Sequence, residues 1–234
     1  MKKNLNQKLL NLIEYYHMIN TDILFSNSPI NRNINKNDLF YKGNKKEKLE
    51  KLKQSIKRIK NCELKKNATN IVFSDGNYKA KIMIIGEGPG AQEDLDGLPF
   101  VGRAGKLLDK MLSAINLDRT KVYISNVVNY RPPSNRKPTD DEINRYLPYL
   151  ENHIEIINPK ILVLLGSTAL NAVVGNYESI SNARGKWLKK KIKSVEPWII
   201  SSFHPAFLMR QPEQKKLSWI DLKMIRDKVR KLNF

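Results

Sequence analysis

KIMIIGEGPGAQED, residues 81 to 94, runs from a short apolar segment straight into a glycine-rich turn bearing carboxylates. A run this brief, rich in Ile, suits a buried strand, and glycines at its end let backbone amides approach a ligand closely. The same grammar recurs outward along the chain: VYISNVV near 122, ILVLLG from 161 and PWIISS from 197 are further short apolar runs. Between them lie helical stretches, AGKLLDKMLSAI from Ala104, DDEINRYLPYLENHIEII from Asp140 and STALNAVV from Ser167, with Thr139 and Ser167 near helix starts where side-chain oxygens cap free amides. Strand and helix alternating in this way predict an α/β fold: a three-layer α/β/α sandwich with a short, mainly parallel central sheet. Ligands of such folds bind outside the carboxyl ends of the strands, where the unusual local sequences of this chain fall.

The N-terminal third reads differently. Leu9, Leu12, Ile13, Tyr16 and Ile19 recur at threes and fours and predict an amphipathic helix over 5–25. Residues 26–45 carry many Asn with Pro29 and Gly43 and read as a linker or extended wrap. Residues 42–66 hold eleven Lys or Arg against three Glu on a predicted helix, either a solvated face or a surface flanking nucleic acid. The expected organisation is an N-terminal helical, basic extension over 1–55 and a catalytic domain over 56–234.

Composition narrows the function classes. The 234 residues include 42 Lys and Arg against 23 Asp and Glu, a formal charge of +19 that favours a polyanionic partner, nucleic acid first. Abundant Asn and Ile offer the competing explanation of a compositional bias toward Lys. No apolar run reaches the roughly 20 residues of a membrane span, and MKKNLNQKLL lacks the features of a secretory signal, so a soluble, cytoplasmic protein without membrane association is expected. A single cysteine, Cys62, excludes an intramolecular disulfide and any all-cysteine metal site.

Three strand ends carry the chemistry. After KIMII come Gly86, Glu87, Gly88, Pro89 and Gly90, then Glu93, then GLPFVGRAG from Gly97. A phosphate loop is the rival reading, but Gly105-Lys106 is followed by Leu107 where Ser or Thr is needed. After VYIS comes Asn126, whose carboxamide both donates and accepts and so suits the edge of a base, followed by the basic, proline-rich NYRPPSNRKPT with Arg131 and Arg136. After PWIIS comes His204, then Leu208, Met209 and Arg210. A lone histidine is more often structural; beside two other polar strand ends it becomes a candidate for catalysis.

Taken in order, GEGPG with Glu93 and Asp94, GLPFVGRAG, SNVVNYRPP and HPAFLMRQP are similar to the motifs of the family 4 uracil-DNA glycosylases, over about Cys62 to Leu222. A related clade that crosslinks to uracil through a histidine resembles the chain near Glu87, but its basic, His-containing insertion is absent. The resemblance implies a monofunctional DNA repair glycosylase that flips deoxyuridine out of the helix, releases uracil and leaves an abasic site. By motif, Phe100 stacks on the base, Asn126 donates to O4 and accepts from N3–H, and the amides of Gly88 and Val127 add contacts. The resemblance also implies that Glu93 sits near C5, where it would exclude the methyl of thymine. His204 suits the role of donor for charge developing on uracil O2. Glu87 is the first choice for positioning water or stabilising the sugar cation, with Glu93 the competitor. Leu208, Met209 and Arg210 form a wedge that fills the vacated stack and holds a phosphate, with ordinary loop packing as the alternative. The family's four-cysteine iron–sulfur cluster maps to Ile59, Cys62, Tyr130 and Tyr146, of which only Cys62 is a cysteine, so no cofactor and no metal are expected. Uracil-containing DNA is the expected partner and a monomer the expected state. A non-catalytic binder of the same fold, or a glycosylase for another deaminated base such as hypoxanthine, are the alternatives.

Overall fold

A computed structural model of the chain describes residues 43–175 and 179–234. The amphipathic helix expected over 5–25 lies outside them. Six strands form one sheet: β1 (Asp75–Gly76), β2 (Ile82–Gly86), β3 (Val122–Asn126), β4 (Ile161–Leu165), β5 (Trp187–Lys189) and β6 (Trp198–Ser202), in the order β1-β3-β2-β4-β6-β5. The four central strands are parallel; β1 and β5 close the edges antiparallel. The helices are α1 (Lys45–Lys57), α2 (Glu63–Asn67), α3 (Ala91–Asp96), α4 (Arg103–Ser113), α5 (Asp140–Ile157), α6 (Ser167–Val174), α7 (Ile180–Ala183), α8 (Pro205–Arg210) and α9 (Lys215–Leu232).

The period-two alternation of the strands sorts their side chains onto two faces. Met83, Ile85, Tyr123, Leu162, Leu164 and Ile199 meet Leu52 and Ile56 of α1, Ile154 and Ile157 of α5 and Ala169 of α6 in one core. Ile82, Ile84, Val122, Ile124, Val163 and Ile200 meet Leu108 and Leu112 of α4, Leu208 of α8 and Leu222 of α9 in the other. This is the expected three-layer sandwich with a mainly parallel sheet. The basic helix α1 straddles residue 55, and its apolar stripe of Leu49, Leu52 and Ile56 is buried, so only its lysine-bearing sides meet solvent.

Local signals set the helix ends. Thr139 caps α5 as anticipated: its hydroxyl accepts from the Glu142 amide at 3.2 Å while the Glu142 carboxylate accepts from the Thr139 amide at 2.8 Å. Ser167 does not cap α6. The cap is Gly166 at φ 92°, a left-handed value that glycine adopts without a Cβ penalty, and it lets the chain turn sharply from β4 into α6.

Candidate active site

Neighbouring parallel strands deliver their carboxyl ends side by side, which brings together residues far apart in the chain. Gly86 pairs with Asn126 across β2 and β3, and Leu165 pairs with Ser202 across β4 and β6. Just beyond these ends lie Glu87, Asn126, Gly166 and His204. A cavity of about 170 Å³ opens there, lined by Glu87, Gly88, Gly90, Glu93, Phe100, Asn126 and His204 among others. A single water requires only about 10–15 Å³. A second cavity, of about 340 Å³, shares Glu87, Gly88, Asn135, His204 and Ala206 with the first and extends to Lys137, Ser167 and Arg210.

Asn126 is 3 % exposed, and its Oδ1 is the buried side-chain oxygen among the described residues that has no hydrogen-bond partner. Leaving a buried acceptor unmade costs about 1–3 kcal/mol, so such an atom calls for an explanation in function. Gly86 makes the arrangement possible. A Cβ there would stand 2.5 Å from both Asn126 Oδ1 and Phe100 Cζ, so only a glycine lets amide and ring converge at this strand end.

Phe100 is buried at φ 56°, a strained backbone for a bulky residue, and its ring stacks on the His204 imidazole with centroids 5.5 Å apart. Arg119 holds that backbone in place. Its guanidinium donates to the carbonyls of Pro99 (3.1 Å) and Phe100, and is itself anchored on Asp75 (2.5 Å) and Asp109 (2.9 Å). Nothing in the sequence reading singled out Arg119; it lies just before β3, outside every motif.

His204 Nδ1 accepts a hydrogen bond from the Ala206 amide at 3.1 Å. An amide donates only to a lone pair, so the ring proton of the neutral form sits on Nε2. Burial, with a smaller contribution from the Arg210 charge, pushes the histidine down to about 4. At neutral pH the residue is an uncharged Nε2–H donor.

The two carboxylates that follow β2, Glu87 in the glycine-rich turn and Glu93 in the first turn of α3, differ. Both oxygens of Glu93 accept from backbone amides: Oε2 from Gly90 at 3.1 Å, Oε1 from Val101 at 3.0 Å and Gly102 at 2.8 Å. Glu93 thus ties the turn after β2 to the loop that carries Phe100. Glu87 is half-buried, borders both cavities and accepts on Oε2 from the Thr168 hydroxyl.

Other residues singled out in the sequence lie elsewhere. The Val127 amide donates to the Gly86 carbonyl at 3.0 Å and its side chain is packed among core residues, so this amide is spent on the sheet and not on a ligand. Leu208 is 1 % exposed inside the second core and cannot act as a wedge; at that position of α8 the alternative of ordinary packing describes it. Met209 is half-buried and Arg210 exposed, the latter at the second cavity. Arg136 borders the first cavity but forms a close double ion pair with Glu142, at 2.7 and 2.6 Å. Arg131 bonds Asn135 and lines neither cavity.

The sequence pattern of the family described as "Uracil DNA glycosylase superfamily" matches residues 73–224, the span that builds the sheet ends and both cavities. The chain belongs to that superfamily. Within it, the chain is 43 % identical over 184 residues to the type-4 uracil-DNA glycosylase of Sulfurisphaera tokodaii, covering 76 % of this chain and 84 % of the relative. It is 39 % identical over 188 residues to the type-4 enzyme of Archaeoglobus fulgidus, covering 76 % and 92 %. The type-4 enzyme of Thermotoga maritima is 43 % identical over 170 residues, covering 71 % and 85 %.

The cluster associated with family 4 does not fit the residues of this uracil-DNA glycosylase homologue. Cys62, Tyr130 and Tyr146 are buried together with Ile59 packed against them, and Cys62 Sγ lies 3.4 Å from the Tyr146 hydroxyl. Burial, joined by the neighbouring thiol, raises both phenols above their ordinary range, so neither offers a phenolate. One thiol, two neutral phenols and an alkyl chain are not a ligand set for iron and sulfide. Arg145 spans the segment instead, donating to the carbonyls of Lys60 (3.0 Å) and Asn61 (2.8 Å). Among the described residues no group of three or more His, Cys, Asp or Glu is placed to hold a metal ion.

Proposed function

We propose that the protein is a DNA repair enzyme that hydrolyses the N-glycosidic bond of deoxyuridine, releasing uracil and leaving an abasic site, without an iron–sulfur cluster. The observation that carries this reading is the unpartnered Oδ1 of Asn126, a residue that lines the first cavity. A nucleotide flipped out of the helix brings uracil over Phe100, with N3–H toward Oδ1 and O4 toward the amide nitrogen of Asn126. Cytosine presents an acceptor at N3 and a donor at its exocyclic amine, and both meet the wrong partner, a mismatch of buried groups that discriminates strongly.

Scission of the C1′–N1 bond sends the bonding electrons into the uracil ring, where the charge gathers on O2, and leaves a cation on the sugar. A neutral Nε2–H of His204 is well matched to that oxyanion, because it gains strength as the charge develops. Glu87 lies beside both cavities, offers Oε1 toward the sugar and orients the water whose oxygen bonds to C1′; the water's proton passes to the carboxylate and on to solvent. Glu93, with its oxygens engaged by three amides, is the scaffold of the loop. Lys137 and Arg210 at the second cavity and the formal charge of +19 suit the DNA backbone.

The test is release of base from oligonucleotides carrying uracil, hypoxanthine, thymine or cytosine, in EDTA, followed by alkaline cleavage at the abasic site. Excision from uracil DNA that falls by orders of magnitude in Asn126→Ala and in His204→Ala is expected. Excision of hypoxanthine alone would reassign the base, and binding without excision of any base would identify a non-catalytic binder.

A further inference from the structure

The end of β4 contributes a residue that the motifs do not mark. After ILVLL the chain turns through Gly166, whose amide donates to the Ser202 carbonyl at 2.9 Å, and enters α6 with Ser167 and Thr168 in its first turn. A Cβ on Gly166 would stand 3.2 Å from the His204 Cβ, so the turn is packed directly against the strand end that bears the histidine. Thr168 is 8 % exposed, and its hydroxyl donates to Glu87 Oε2.

We propose that Thr168 is a positioning residue for catalysis: it pins one oxygen of Glu87, which fixes the rotation of the carboxylate and leaves Oε1 directed at the reacting sugar and its water. Four features support it. The bond joins a buried hydroxyl to a half-buried carboxylate, and a hydrogen bond to an ionised group is the stronger kind. Glu87 follows the end of a strand as a turn residue and, among the described residues, its carboxylate has no hydrogen bond besides the one from Thr168, in contrast to Glu93 with its three amides. The first turn of α6 also places the positive end of a helix beside the carboxylate. Finally, an unpinned carboxylate rotates about a terminal sp³–sp² torsion with broad, roughly two-fold preference, so water alignment depends on an external contact.

The inference rests on the reading of Glu87 as the carboxylate that serves the water. The experiment is a double-mutant cycle on single-turnover uracil excision, comparing wild type, Thr168→Val, Thr168→Ser, Glu87→Gln and the Thr168→Val/Glu87→Gln pair. Valine keeps the volume of threonine and removes the donor; serine keeps the donor. Thr168→Val is expected to slow the chemical step by about 10- to 100-fold with the half-saturating DNA concentration unchanged, and Thr168→Ser to recover most of the rate. In the Glu87→Gln background, Thr168→Val should add little further loss. Wild-type rates in Thr168→Val, or an equal loss in both backgrounds, would overturn the proposal. A Glu87→Gln variant as fast as wild type would remove the Glu87 reading, and the proposal with it.

Discussion

Glu87 in the turn after β2 and Glu93 in the first turn of α3 lie six residues apart, and the contrast between them is the sharpest residue-scale result. The sequence offered both as catalytic carboxylates, because a motif shows residue types and not which lone pairs are already used. With three amides donating to Glu93, replacement by glutamine turns an acceptor into a donor facing N–H groups. Glu93→Gln should therefore destabilise the protein by about 1–3 kcal/mol, since buried donors lose their acceptor. At about 2–4 °C per kcal/mol, that is a drop of several degrees in thermal midpoint, measurable by calorimetry. Glu87→Gln should leave the midpoint within about 1–2 °C and act on the rate instead. A comparable argument applies to Arg119, which holds the left-handed Phe100. Arg119→Lys cannot reproduce the fork that grips two carbonyls and two carboxylates. It should weaken DNA substrate binding and excision together, by about tenfold or more, as judged from kcat and KM measured separately.

At the scale of elements, four parallel strand ends meet in one place, and each delivers one or two participants: Gly86 and Glu87 from β2, Asn126 from β3, Gly166 and Thr168 from β4, His204 from β6. The sequence made three of these legible, because VYISNVV, KIMIIGEGPG and PWIISSFHP pair an apolar run with an odd polar turn. The fourth, ILVLLGST, reads equally well as an ordinary helix start, and its role depends on the strand order that places β4 beside β2. The edge strands β1 and β5, two and three residues long, are too short for a periodic signal, and α9 is masked by its many lysines and arginines. Val127 misled for a related reason: sequence cannot show that its amide is spent on the Gly86 carbonyl. Gly166→Ala is the test at this scale. A Cβ at φ 92° is strained and crowds His204, so the variant should lose about 1–3 kcal/mol of stability, read from urea unfolding, along with excision activity.

For the whole molecule, His153 and His204 set an acid limit. Burial holds His153 at about 3 and His204 at about 4, both below the ordinary value of 6.5. As pH falls below 6.5 the unfolded chain takes up protons that the native state refuses, so stability declines until the pH passes below those lowered values. Thermal midpoints measured between pH 7.5 and 4 should fall toward acid, and less steeply in a His153→Gln variant. The charge of +19 predicts that DNA binding weakens steeply as salt rises, with a log–log slope close to the number of phosphates contacted. Among the described residues no helix is long and apolar enough to cross a membrane.

The central claim is that the unpartnered Asn126 Oδ1 exists to accept from N3–H of uracil. It is tested most directly by comparing single-turnover excision of deoxyuridine with that of N3-methyldeoxyuridine in the same oligonucleotide. Methylation at N3 removes that one donor, places carbon against Oδ1 and leaves the glycosidic bond in place. The account predicts ready excision of deoxyuridine and a loss of at least about 100-fold for the methylated base, a difference that shrinks in Asn126→Ala. Equal excision of the two bases by the wild-type protein would contradict it.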